Sequence, residues 1–425
     1  MMHTFASFFK NKEIRNKILF TLAMLLIYRI GSAIPVPGIN TRALAAGIAD
    51  NSILGMMNLL GGGAFERMSI FALGVGPYIT ASIIIQLLSM DVIPALTEMT
   101  KSGQTGRQQI DRITRYLGVV LAAVQSISMI YAFDRQYGLL QDTSLSTYIY
   151  IGVILTAGMS FLLWIGDRIS LKGIGNGISV IIFAGIVSNM PANFVQVYNI
   201  LVGGSSQGAV FNGVLQFILY CILYLAIIVG VVIMQLAVRR IPIQYTSSSN
   251  VRANDITYLP FKINSASVIP VIFANAIMTA PQIIISFINY DLYQTLSDFL
   301  SLNKPIGLCI YAVLTFLFTF FYTDLQVDPE KVSENLGKSG AYIPGIRPGS
   351  ETVTYLRKVL HRITVLGATA LMVIAVLPYI LPMFTSIPTA SAVGGTGIII
   401  VVGVAMETIS QLKGQLTQKQ YHGFF

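Results

Sequence analysis

Charge is what this chain has least of. Only 11% of its 425 residues are Asp, Glu, Lys or Arg, against about 25% in an ordinary soluble domain, and that deficit excludes a water-soluble globular protein. Histidine is scarce too: His3, His361 and His422 all lie outside the centres of the apolar runs. A histidine-activated nucleophile or a zinc motif within a membrane therefore has no residues to build it. Cys221 and Cys309 stand alone in separate apolar runs. Without metal or disulfide spacing they read as packing residues and leave the redox compartment open. Of the 18 acidic residues nearly all fall in loops or at the edges of apolar runs, with Glu407 and Asp324 nearest the interior. A proton- or ion-coupled carrier keeps ionisable residues along its path, and an intramembrane protease needs a paired carboxylate, an activated nucleophile or a zinc site. Neither constellation is present, and no metal or cofactor is expected.

What is abundant is apolar sequence: 54% of residues are hydrophobic and mean hydropathy is +0.71, so the chain is expected to be an all-α polytopic membrane protein. Ten runs are long enough to cross about 30 Å of hydrocarbon: 18–34, 70–90, 116–133, 148–165, 178–200, 214–238, 268–288, 306–325, 363–380 and 393–409. The fifth is interrupted by Pro191 and Asn193. No small-residue cleavage site follows the first run, so it is expected to stay as a span. Gly203 to Gly208, rich in glycine and serine, is the expected hinge between an N-terminal half, 1–203, and a C-terminal half, 204–425.

Orientation follows from Lys and Arg. The tails and even-numbered loops hold 22 of them, the odd-numbered loops only Arg42, Arg67, Arg135 and Lys304, and Arg29 lies within the first span. Both termini are thus expected in the cytoplasm. Because five is odd, two five-span halves of one chain enter the membrane in opposite directions, the inverted-repeat plan of many conduits and carriers.

One stretch breaks the pattern of a lipid-facing helix. Gly61-Gly62-Gly63 and then Gly74-Val75-Gly76-Pro77 cost helix stability and free backbone groups that bare hydrocarbon cannot satisfy. Either protein or a water-filled path surrounds this stretch, or it is a surface loop ahead of a span with a proline near its start. Other motifs are weak. Gly158-Met159-Ser160 has no intramembrane His beside it and reads as a small-residue helix contact. Gly337-Lys338-Ser339 lacks the glycine five positions earlier that a phosphate loop needs, and Gly173-Ile174-Gly175-Asn176-Gly177 opens a span rather than a βαβ unit. Two cytoplasmic loops, 239–266 and 327–362, are larger than lipid anchoring requires. Pro344-Gly345-Ile346-Arg347-Pro348-Gly349 stiffens a loop tip around one arginine, a shape suited to docking.

Taken in order, Ile34-Pro35-Val36-Pro37-Gly38, Gly61-Gly62-Gly63-Ala64, Pro77-Tyr78-Ile79-Thr80-Ala81-Ser82-Ile83-Ile84-Ile85-Gln86-Leu87, Gly173-Ile174-Gly175-Asn176-Gly177-Ile178-Ser179, Tyr342-Ile343-Pro344-Gly345-Ile346-Arg347-Pro348-Gly349 and Gly394-Gly395-Thr396 are similar to the SecY family of bacterial protein-conducting channels, in its Gram-positive type. The resemblance spans essentially the whole chain. It implies two five-helix halves around a central pore that opens outward to translocate unfolded secretory chains and sideways to release transmembrane segments into lipid. It also places a pore ring at Val75, Ile79, Ile182, Ile272 and Ile400, all aliphatic and β-branched as a dry constriction requires. A plug falls at 53–67, with Ile53, Met57, Asn58, Leu60, Gly61, Gly62, Gly63, Phe65 and Arg67, and a lateral gate on the second, third, seventh and eighth spans, where Thr80, Gln125 and Asn275 either line it or make ordinary interhelical hydrogen bonds.

Arg239, Arg240 and Arg347 are the expected docking residues for a motor or ribosome. The implied partners are small membrane subunits of the SecE and SecG type, a motor ATPase of the SecA type, the ribosome, signal peptides and unfolded chains, and lipid, without DNA. The implied location is the bacterial plasma membrane. Gly76 departs from the family by being small, and Gln108 and Gln109 stand where basic residues are usual. A channel without catalysis is the expectation; the alternative is a secondary carrier with inverted repeats.

Overall fold

A computed structural model describes residues 11–40, 61–89, 92–140, 142–203, 210–245, 257–288, 299–302, 304–384 and 389–422. Its helices are α1 (Lys12–Ala33), α2 (Gly76–Leu88), α3 (Pro94–Lys101), α4 (Gln104–Tyr137), α5 (Leu145–Lys172), α6 (Gly177–Tyr198), α7 (Val210–Leu236), α8 (Ile269–Ile288), α9 (Pro305–Gln326), α10 (Pro329–Lys338), α11 (Ser350–Phe384) and α12 (Thr389–His422). Each of the ten apolar runs falls on one of them. Among the described residues eight helices are long and apolar enough to span a membrane, and α2 and the first half of α8 are shorter apolar helices. The fold is that of an all-α polytopic membrane protein. Its outer faces carry Leu26 of α1 at 64% exposure and Ile222 of α7 at 61%, side chains whose solvent is hydrocarbon.

Local chemistry explains several boundaries. The side chain of Asn176 caps α6, accepting from Ile178 N at 3.1 Å and Ser179 N at 3.4 Å, a contribution of about 1 kcal/mol. The glycines around it are steric: a Cβ on Gly177 would stand 1.8 Å from the carbonyl oxygen of Gly166 in α5. The Gly173–Gly177 motif is thus a tight α5–α6 reversal. A Cβ on Gly158 would lie 2.0 Å from the Ile70 carbonyl, so this position is a small-residue contact as expected, but with the turns that precede α2 rather than with another helix. Gly337-Lys338-Ser339 closes α10, where Ser339 Oγ donates to Asn335 O at 2.8 Å; it is a helix end.

Three expectations are corrected. The second run is helical only from Gly76, six residues later than its apolarity begins. Pro191 does not break the fifth, because α6 continues through it to Tyr198 and then widens into a π turn at Asn199–Gly203. Cys221 is half-buried, but Cys309 is exposed on α9 rather than packed.

The membrane helices are joined on one side by a small sheet of order β2-β1-β3, with β1 (Val238–Tyr245), β2 (Thr257–Lys262) and β3 (Ala341–Tyr342). β1 and β2 form an antiparallel hairpin with Arg240 opposite Pro260, which the edge strand tolerates because it needs no donor there. β3 pairs Tyr342 with Gln244 and Ala341 with Tyr245, so the two large loops fold as one body. Ile241, Ile243, Phe261, Leu336, Ile343 and Leu356 form its apolar core.

Candidate functional site

The glycine-rich stretch Gly61–Val75 is a buried chain of turns. Ala64, Phe65 and Met68 are completely buried, so the surface-loop alternative is excluded for it, although Pro77 does sit in the first turn of the following helix, where a missing N–H costs nothing. Buried backbone must find partners, and here turn bonds supply them: Met68 N to Phe65 O, Ser69 N to Ala64 O, Ala72 N to Ser69 O and Gly74 N to Phe71 O, all at 2.8–2.9 Å. Val36 N donates to Met68 O at 2.9 Å and Ile70 N to Ile34 O at 3.1 Å, tying the stretch to the chain leaving α1. Gly62, Gly63 and Gly74 take φ of +67°, +78° and +56°, values open to glycine without Cβ strain.

Of the expected plug, Ile53, Met57, Asn58 and Leu60 lie outside the described residues. Its described end is packed between helices. The Phe65 ring meets Phe133 of α4 edge-on with centroids 5.6 Å apart, while Arg67 is exposed.

The five positions expected of a pore ring meet in one apolar cluster. Val75, at the break before α2, Ile182 of α6 and Ile400 of α12 are buried at 5%, 4% and 1% exposure. Ile79 of α2 and Ile272 of α8 pack against the same cluster and are partly exposed. Gly76 is itself exposed, and a Cβ built there would meet nothing within 4 Å. Open space therefore adjoins the cluster at Gly76.

The three residues expected at a lateral gate behave differently from one another. Asn275 is buried in α8 and lies 3.5 Å from Tyr311 Oη of α9. Thr80 is half-buried and donates to Gly76 O of its own helix at 3.3 Å, so that bond is not interhelical. Gln125 is half-buried on α4. The helices that carry them are adjacent: α8 touches α2 and α4 and packs broadly on α9. On α9, Thr315, Thr319 and Thr323 are buried and each donates to the carbonyl four residues back at 2.7–2.8 Å, which keeps that face smooth and internally satisfied.

Arg239, Arg240 and Arg347 are all exposed on the body that contains the sheet. The Arg347 turn is pinned at both ends, with Thr352 Oγ1 donating to Arg347 O at 2.9 Å and Ser333 Oγ to Gly349 O at 3.3 Å. Gly345 and Gly349 have φ of +81° and +106°. Between α4 and α5, Arg115 and Asp167 approach to 2.6 Å. Glu407 and Asp324, the acids nearest the interior in the sequence, are exposed. Among the described residues no group of three or more His, Cys, Asp or Glu could hold a metal.

Sequence reasoning missed one pair of contacts. Tyr28 Oη donates to Gly61 O at 3.2 Å, and Arg29 Nη1 to Gly62 O at 2.8 Å. The signal available was an arginine inside an apolar span.

Comparison with known proteins gives concordant matches. The SecY family profile matches residues 69–409. The Protein translocase subunit SecY of Staphylococcus carnosus (strain TM300) is 44% identical over 430 residues, covering all of this chain and 99% of that protein. The same subunit of Staphylococcus aureus (strain NCTC 8325 / PS 47) is equally similar, at 44% with the same coverage. A solved structure of a protein conducting channel superposes with a TM-score of 0.67 at 19% identity, over 94% of this chain and 91% of that one. Sec61 in the canine ribosome-channel complex from the endoplasmic reticulum superposes with a TM-score of 0.64 at 18% identity, with the same two coverages.

Proposed function

The chain belongs to the SecY family of protein translocase subunits, and from that premise we propose that it forms the central channel of a Sec protein translocase. In this reading it passes unfolded secretory chains across the bacterial plasma membrane and releases transmembrane segments sideways into lipid. The observation that supports it most is the meeting of Val75, Ile79, Ile182, Ile272 and Ile400 in one apolar cluster with open space beside it at Gly76. An aliphatic ring offers no fixed hydrogen bonds, so it closes around any sequence and keeps water out when empty.

The remaining parts follow the same logic. Residues 1–203 and 204–425 are the two halves. The 53–67 stretch is the plug, swinging on the glycines at its described end, and α2, α4, α8 and α9 are the lateral gate near Thr80, Gln125 and Asn275. Energy comes from cytoplasmic partners: a SecA-type motor or the ribosome docks on Arg239, Arg240 and Arg347, and small subunits of the SecE and SecG type cover apolar outer faces. Both termini are cytoplasmic. The carrier alternative has less support, because Glu407 and Asp324 are exposed rather than gathered at a buried site.

A photo-crosslinking amino acid placed at Ile79, Ile182 or Ile400 tests this. An arrested secretory chain is expected to crosslink to each of them and not to the outward-facing Ile222. Crosslinks at Ile222 alone would overturn the path.

A further inference from the structure

Arg29 has no part in the function argued above, yet it is the one basic residue inside any of the ten apolar runs, about one turn from the end of α1. An ionised side chain there is expensive and needs a partner. Its described partner is a backbone carbonyl, that of Gly62, at 2.8 Å. The preceding residue, Tyr28, donates to the adjacent carbonyl, Gly61 O, at 3.2 Å. Consecutive residues on a helix project about 100° apart, so reaching neighbouring carbonyls requires the glycine stretch to lie across the end of α1.

The placement is rigid on both sides. Tyr28 is buried and its ring stacks on Phe71 with centroids 6.1 Å apart; Phe71 in turn lies where a Cβ on Gly31 would be, 2.1 Å from the ring. Opposite α1, Gly62 and Gly63 press on α6, where added Cβ atoms would stand 2.7 Å from Gly185 Cα and 2.9 Å from Asn189 Oδ1. The glycines are clamped between two donors on α1 and a close-packed face of α6.

We propose that Tyr28 and Arg29 are a latch that holds the Gly61–Gly63 hinge in its closed position, so that opening the gate requires breaking both bonds. This rests on the gating reading given above. Both are positioning residues, acting through the hinge. A hydrogen bond to a charged donor shifts a two-state ratio by about tenfold or more, so losing Arg29 shifts the hinge towards open by about that factor.

The test uses the reconstituted translocase carrying Arg29→Met, Arg29→Lys or Tyr28→Phe, with resting conductance per channel measured in planar bilayers. Reaction of Ala64→Cys with a water-soluble maleimide, in channels whose two native cysteines are serine, reports the hinge independently. Arg29→Met is expected to raise both readouts about tenfold or more, Arg29→Lys to restore most of the seal, and Tyr28→Phe, which keeps the buried ring, to raise both by a smaller factor.

Deletion of Met57 to Arg67 separates the two levels. If the deletion leaks while Arg29→Met stays tight and Ala64→Cys stays protected, the latch is wrong and the gate stands. If the deletion is also tight, the gating reading falls with it. Should Arg29→Met fail to insert, a Tyr28→Phe channel as tight as wild type overturns the latch.

Discussion

Gly62 rests on Gly185 of α6 so closely that a Cβ on Gly62 would stand 2.7 Å from the Gly185 Cα. Two penalties meet there. At φ +67° an alanine costs about 1–2 kcal/mol in left-handed backbone, and the contact adds to that unless the stretch lifts away from α6. Gly62→Ala is therefore expected to raise resting ion conductance and lower the thermal unfolding midpoint. Gly38→Ala separates strain from contact, because Gly38 has φ +90° with nothing within 4 Å. A small loss of stability without a leak is expected there. Equal leakage in both variants would show that the Gly185 contact does not hold the stretch.

The ring predicts opposite effects from two neighbouring positions. Ile79→Asn places a hydrogen-bonding amide in the apolar cluster and stabilises water there, so resting conductance should rise while translocation continues. Gly76→Leu adds bulk into open space at the first turn of α2, so it should fold normally and reduce any resting leak. Single-channel recording on both variants checks the pair. Unchanged conductance in Ile79→Asn would remove the ring from the seal.

The helices of this architecture were legible because ten long apolar runs are a one-dimensional signal. The start of α2 was not, since Ile70 to Leu73 are as apolar as the helix that follows and apolarity does not distinguish a span from a buried turn. Pro191 pointed to a break, but an internal proline removes one bond at a cost of about 3 kcal/mol, which packing on α5 and α12 offsets. The β1–β3 pairing joins Gln244 to Tyr342 across 98 positions, a separation that no local pattern reports. Arg29 was visible as an oddity in its span, but its partner is a backbone carbonyl, and carbonyls leave no trace in a sequence.

Orientation is tested by cysteine labelling in channels lacking Cys221 and Cys309. Ser249 lies outside the described residues, and Gly340 has φ +64°, where a cysteine is strained. Exposed Lys338 of α10 is the better reporter for the charge-rich side, and exposed Thr143, between α4 and α5, for the other. In intact cells a membrane-impermeant thiol reagent should label Thr143→Cys and leave Lys338→Cys untouched until the cells are opened. The reverse pattern would invert the topology.

Arg347 is the last and most specific test, because the structure separates its charge from the shape of its turn. Thr352 and Ser333 hold the turn through the carbonyls of Arg347 and Gly349, and the guanidinium is exposed and takes no part in that scaffold. Arg347→Glu should leave the channel folded and inserted while cutting motor-driven translocation by about tenfold or more, since a buried charge-assisted contact with a partner contributes on the order of 2–5 kcal/mol. Thr352→Val keeps the charge but frees the turn, so an intermediate loss is expected. Arg239→Ala and Arg240→Ala should have smaller effects that vanish at high salt, as exposed charges that steer rather than lock do. Translocation at the normal rate in Arg347→Glu would remove the arginine from docking and leave the stiff Pro-Gly turn without a partner to explain it.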